Sequence, residues 1–239
     1  MLTLFLIFLL TIFAGFIQRV SGFGFGIFVM MFFPYFLPSY GQSTALSGLL
    51  AGSTAFVIAV RNFKHIQWGM MLPLLATNLV ASFIAIEYMA TMSSGVLKRA
   101  FGAMFVFIAL YFLFFDKKQS VPHNGWTKTL LGTLSGIMGG MFAMPGPPIV
   151  LYCINYIKEK SAYIATLQAF SVVLNIFYSA FRARVGFLSD DILLWWVAGI
   201  TGGILGTTIG TRLFGYIDSG MLKKIVYILL FVSGIAAML

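Results

Sequence analysis

The stretch QRVSGFGFG, Gln18 to Gly26, lies inside the first long apolar run of the chain and sets an arginine beside three alternating glycines. Neither feature is neutral in hydrocarbon. A cation near the bilayer centre costs ~2.5–3.5 kcal/mol on insertion scales, and backbone N–H and C=O groups freed from a helix cost several kcal/mol each unless something polar meets them. The surrounding run covers residues 1–37. As one helix at about 1.5 Å per residue it would be roughly 55 Å long, against a hydrocarbon core of about 30 Å. It is too long for one crossing and too short for two crossings with a turn. A helix that breaks at membrane depth, or a span followed by a re-entrant segment, fits, with Gly22, Gly24 and Gly26 marking the break.

The rest of the 239-residue chain places this run in a membrane protein: 60% of residues are hydrophobic, 9% are charged, and the mean hydropathy is +0.99. Turn-forming and charged residues divide it into eight apolar blocks near 1–37, 42–60, 67–90, 96–115, 127–157, 161–181, 190–214 and 221–239. The fold class expected is therefore all-α, a polytopic transmembrane bundle of about eight hydrophobic segments. The net charge of +9 comes from fifteen Lys and Arg scattered over short connections, which fits orientation in a membrane and not a nucleic-acid footprint. The single Cys153 excludes an intrachain disulfide, and the amino terminus lacks a basic region and cleavage site, so it is expected to remain in the mature protein.

The fifth block, 127–157, is also too long for one span, and its glycines Gly136, Gly139, Gly140 and Gly146 point to a second break. The two anomalous blocks correspond. Gly15 and Gly22 match Gly132 and Gly139 at a shift of 117 (132 − 15, 139 − 22); Phe56, Ala59 and Arg61 match Phe177, Ala180 and Arg182 at 121 (182 − 61); MSSGVLKR (92–99) matches IDSGMLKK (217–224) at 125 (217 − 92). Two homologous halves follow, about 1–116 and 127–239, joined by a polar linker at 117–126. Each half opens with a Gly-broken helix or re-entrant segment, which is where a transporter built from repeats places its substrate. Parallel and inverted repeats are both compatible with the blocks, and inverted is favoured. The alternative for the glycines is close helix packing.

A half-helix restarting after a break aims its first N–H groups at the gap, which favours an anion. Around the first break Arg19 adds a guanidinium suited to an oxyanion, flanked by Gln18 and Ser21. At the shift of 117 the second half offers Ser135 and Gly136. Snorkelling to an interface is the alternative for Arg19. Glu87 could pair with Arg19, carry a coupling proton, or lie at the interface, where neighbouring Tyr88 suits an aromatic belt; the interface is favoured. Asn78, Gln168 and Asn175 suit interhelical hydrogen bonds, with site contact as the second role. Arg61, Lys64, Arg182 and Arg184 end blocks two and six and read as orientation charges. Lys and Arg are evenly divided between the two sides, so the charge rule sets no orientation.

Embedded enzymes find no support. His65 and His123 both fall in polar connections, no pair of acids lies at matched depth, and adjacent Asp190 and Asp191 open a helix. No nucleotide-binding loop, metal-ligand set or cofactor motif is present.

SGFGFG with Pro34 in the first half, and SGIMGGMFAMPGPPIVLY (135–152) in the second, resemble the TauE/SafE family of membrane permeases, the sulfite exporter-like group, over essentially the whole chain. The resemblance implies secondary transport of small sulfur-containing or organic anions, such as sulfite, sulfoacetate and sulfonates, across the bacterial inner membrane. It puts Gln18, Ser21, Gly22, Gly24, Gly26, Gly139, Gly140, Gly146, Pro147 and Pro148 around the substrate path. Phe23 and Phe25, and MFAM at 141–144, stand where many members carry more glycine, implying a bulkier lining. The expected mechanism is alternating access around an anion held by Arg19, Gln18, Ser21 and freed amides, with protons as a coupling partner.

Overall fold

The computed structural model describes residues 1–114 and 121–213, together with Ile228, Phe231, Gly234, Ile235 and Met238. Most of the expected eighth block, and residues 117–120 of the linker, thus lie outside the described residues. The helices are α1 (Leu2–Ser21), α2 (Phe25–Met30), α3 (Phe33–Phe36), α4 (Tyr40–Arg61), α5 (Trp68–Ala90), α6 (Ser94–Phe114), α7 (Gly125–Phe142), α8 (Gly146–Tyr156), α9 (Lys160–Arg184) and α10 (Ile192–Leu213). A 3-10 turn, Phe63–His65, links α4 to α5, and no strand occurs among the described residues. Helices α1, α4, α5, α9 and α10 are long and apolar enough to cross a membrane. The architecture is the all-α polytopic bundle expected from the blocks.

Local sequence sets several boundaries. Ser39 caps α4 by accepting from the Gln42 amide at 3.1 Å, and Asn124 caps α7 by accepting from the Thr127 amide at 2.8 Å, each satisfying a donor that has no intrahelical partner. The two long apolar blocks both break: α1 stops at Ser21 before α2, and α7 stops at Phe142 before α8.

Glycine stripes determine which helices touch and in which direction they run. On α10, Gly202, Gly206 and Gly210 recur every fourth residue; methyl groups there would lie 2.3 Å from the Phe8 carbonyl oxygen, 1.9 Å from that of Ile12 and 3.2 Å from that of Phe16. Position rises together on both helices, so α1 and α10 are parallel. On α7, Gly132, Gly136 and Gly140 meet the carbonyl oxygens of Leu74, Asn78 and Ser82 in the same way, making α5 and α7 parallel. Small residues in this spacing let membrane helices approach to backbone contact, where dispersion replaces the absent hydrophobic drive. Between these pairs α4 and α9 run antiparallel: Gly41 faces Phe187, just past α9, and Gly52 faces Asn175.

Two further contacts complete the layout. Gly199 meets Leu50 and Gly203 meets Thr54, so α10 runs with α4; Gln67 binds Thr166 and Glu87 binds Arg184, so α5 runs with α9. Helices α1, α4 and α10 therefore point one way, and α7, α9 and α5 the other. Since α1 and α4 share a direction, the segment α2–α3 returns between them, and α8 returns between α7 and α9. Phe25, Ile27, Phe28, Val29 and Met30 of α2 are all buried, as irregular backbone within a bilayer must be.

The glycine stripes have a measurable consequence. Gly206→Ala places a methyl into the Ile12 carbonyl and should destabilise by about 1–3 kcal/mol, the cost of overpacking. Gly69→Ala, which meets nothing within 4 Å, should leave the melting temperature in detergent unchanged or slightly raised.

Candidate functional site between two chain breaks

The first break is made by glycine. Gly22 (φ 83°) and Gly24 (φ 102°) both take left-handed backbone, which costs a residue with a side chain ~1–2 kcal/mol. Gly22 closes α1 by donating its N–H to the Gln18 carbonyl at 2.9 Å. Its own carbonyl is met by Gln168 Nε2 at 2.9 Å. Behind that bond lies a relay: Thr54 Oγ1 donates to Gln18 Oε1 at 2.6 Å, and Gln18 Nε2 donates to Gln168 Oε1 at 3.1 Å. All three side chains are buried, so each polar atom needs its partner within the protein.

The second break is made differently, and here the sequence expectation is corrected. Helix α7 continues through Gly136, Gly139 and Gly140 and ends at Ala143, which is left-handed at φ 57°. The break is the Ala143–Met144–Pro145 segment, after which Pro147 and Pro148 start α8 with no N–H to leave unsatisfied. Gly136 and Gly140 instead belong to the stripe packed on α5. The two left-handed caps stand 121 residues apart (143 − 22), the separation of Arg61 and Arg182. At that shift Gln18 and Arg19 fall on Gly139 and Gly140, whereas the shift of 117 gives Ser135 and Gly136. A second relay serves this break: Ser135 Oγ donates to the Pro145 carbonyl at 2.6 Å, Asn78 Nδ2 to Ser135 Oγ at 2.8 Å, and the Tyr178 hydroxyl to Asn78 Oδ1 at 2.7 Å.

The breaks meet. A methyl on Gly26 would lie 2.3 Å from the Ala143 carbonyl oxygen. Between them is a cavity of about 60 Å³ whose polar side chains are Gln18, Gln168, Ser171 and Asn175, with backbone of Gly22–Gly26 and Ala143–Gly146 forming much of the wall. Drug-sized ligands occupy pockets of ~300–1,000 Å³, so the space suits a few waters or one small ion.

Of the residues expected at the site, Gln18, Gly22, Gly24, Gly26, Gly146 and Asn175 line this cavity. Ser135 stands behind it in the second relay. Pro147 is buried at the start of α8 without lining it, and Gly139 packs under the Tyr178 ring. Ser21 ends α1, and its side chain lies outside the described residues. Arg19 turns away from the cavity to α10, where Nε donates to Thr211 Oγ1 at 2.9 Å. Glu87 is also elsewhere, 3.5 Å from Arg184 Nε at the ends of α5 and α9. Gln168 joins both interhelical bonding and the cavity wall, and Ser171 enters the wall without a sequence signal. Arg182, expected among the orientation charges, is 0% exposed: its Nη2 donates to the carbonyls of Gly139 at 2.8 Å and Gly140 at 3.2 Å. Its only sequence signal was the match to Arg61.

A chain broken twice inside a membrane bundle, around a small polar cavity, has a counterpart among known families. The family model described as "Sulfite exporter TauE/SafE" matches residues 7–237. The chain belongs to the TauE/SafE family. The match takes in both breaks, both relays and the cavity, and with the five apolar helices it makes the chain a multi-pass membrane protein of a transport family. Among curated proteins and among solved structures the chain has no significant match.

The relays can be tested by removing one donor at a time. Gln168→Leu orphans the Gly22 carbonyl and Ser135→Ala that of Pro145, each expected to cost about 1–3 kcal/mol. Thr208→Ala, whose hydroxyl bonds its own helix at the exposed surface, should change thermal unfolding by less than about 0.5 kcal/mol.

Proposed function

We propose that this chain is a secondary transporter that moves small sulfur-containing or organic anions, of the sulfite, sulfoacetate and sulfonate class, by alternating access. The observation that carries this reading is the small cavity, with four polar side chains in its wall, held where two chain breaks meet inside an apolar bundle. Family membership supports anion transport as the class of activity.

The halves, about 1–116 and 127–239, are read as inverted repeats: α1, α4 and α5 correspond to α7, α9 and α10, and each corresponding pair runs in opposite directions. In such an arrangement, rocking of one half against the other exchanges which mouth of the midplane site is open. In this reading the second hydrogen of the Gln168 amide and the first N–H groups of α2 face an anion in the cavity, Gln18 holds Gln168 in place, and the cavity's size favours a compact head group over an extended solute. Arg19 lies within electrostatic range of Arg61; in this reading the two cations gather anions at that mouth and do not hold them. A coupling proton enters on Glu87, by opening its pair with Arg184.

Purified protein in proteoliposomes should take up labelled sulfite or sulfoacetate with saturation. Gln18→Leu should cut kcat/KM by about tenfold or more, equivalent to ~1.4 kcal/mol of lost interaction. Arg19→Gln should raise KM and flatten its dependence on salt while leaving the maximal rate in place. A current that follows voltage linearly and never saturates would mean a passive pore and overturn the carrier mechanism.

A further inference from the structure

Arg182 is the largest fully buried side chain among the described residues, and its Nη2 bonds account for only part of its chemistry. Nη2 meets the Gly139 and Gly140 carbonyls near the end of α7, where the helix dipole favours a cation. Among the described residues the Nε–H and both hydrogens of Nη1 have no partner. Nor does any described carboxylate neutralise the charge. Arg182 makes no ion pair among the described residues: Glu87 pairs with Arg184, Glu159 with His65, and Asp190 and Asp191 sit in the turn before α10. A buried guanidinium without a counter-charge is among the most costly groups a protein can hold.

Its surroundings place it next to the cavity wall. The guanidinium carbon lies 5.4 Å from the centre of the Tyr178 ring. The buried Tyr40 hydroxyl, within electrostatic range, also lacks a partner. On α4, Gly48 lets Nη1 and Asn175 close in on the helix backbone: a methyl there would be 2.8 Å from Nη1 and 2.9 Å from Asn175 Oδ1. Asn175 is one of the four polar side chains of the cavity wall. The unused donors thus lie behind a residue of the cavity wall, and Arg182 itself does not line the space between the breaks.

We propose that Arg182 is the resident cation of the anion path, binding the sulfite or sulfonate head group through Nε and Nη1 when the Asn175 side chain beside it swings aside. The inference rests on the transport reading and adds the charge that reading needs. Arginine suits the task because its charge is permanent and its donors are fixed in a planar fork, so one nitrogen can anchor to backbone while others face the ligand. Removing the head group's negative charge from water is then offset by a cation already desolvated by the fold.

The test compares sulfite uptake with sulfite-induced thermal shift in purified wild type and three variants. Arg182→Lys can still donate to the Gly139 and Gly140 carbonyls, so a purely structural cap would survive it; KM for sulfite is expected to rise about tenfold or more, with loss of the thermal shift. Arg182→Met should abolish the shift while keeping or raising the melting temperature without ligand, since an uncompensated buried charge is gone. Gly48→Ala keeps the charge but pushes Nη1 and Asn175 aside, both being side-chain ends that can yield, and should raise KM with the fold intact. Wild-type KM and wild-type thermal shift in both Arg182→Lys and Gly48→Ala would overturn the assignment while leaving transport standing. A wild-type protein that neither transports nor is stabilised by sulfite or sulfoacetate would overturn the transport reading, and this inference with it.

Discussion

A carbonyl at a helix end inside lipid has no water to turn to, and this constraint organises the molecule. The chain ends two helices within the bundle, at Gly22 and Ala143, and each end releases backbone groups that must find partners in the protein. Gln168 takes the Gly22 carbonyl and Ser135 takes that of Pro145. Each of those side chains is held by another, through Gln18 and Thr54 on one side and Asn78 and Tyr178 on the other. The buried amides and hydroxyls that look misplaced in an apolar sequence are the condition for having breaks at all. Because they come from α1, α4 and α9 in one case and α5, α7 and α9 in the other, each break is tied to both halves of the chain.

The packing that surrounds the breaks uses the opposite strategy, removing side chains altogether. Glycine stripes on α7 and α10 bring helices to backbone contact, and the resulting parallel pairs fix the directions of all the long helices around them. The return segments α2–α3 and α8 are consequences: α1 and α4 could not share a direction, nor α7 and α9, unless the chain turned back in between. The cavity is the small remainder where the two turns meet, which is why backbone forms so much of its wall.

Much of this was legible in the sequence because length is a hard quantity. Runs of 37 and 31 residues are too long for single spans, and each is interrupted, between Ser21 and Phe25 in one and between Phe142 and Gly146 in the other. The first break was readable residue by residue, since only glycine takes the left-handed angles found at Gly22 and Gly24 without strain. At the second, Gly146 stands at the break but Gly136, Gly139 and Gly140 lie within α7, because glycine has two uses in membranes: at Gly132, Gly136 and Gly140 it packs, while Ala143 and three prolines do the breaking. Arg19 and Arg182 exchanged prominence for a related reason. A side chain's direction depends on the rotation of its helix, and near a helix end the sequence pattern does not settle that; Arg19 rotates toward Thr211, and Arg182 toward the end of α7.

The pairing of α1 with α10 also bears on how the protein is made. Phe8 and Gly202, which touch, are 194 positions apart (202 − 8). At synthesis rates of ~5–20 residues per second the first helix waits roughly 10–40 seconds for its glycine-faced mate. During that interval the polar groups of Gln18 and Thr54 can pair, but Gln168 and the α10 stripe do not yet exist. The amino-terminal half is thus incomplete until α10 supplies the face on which α1 packs.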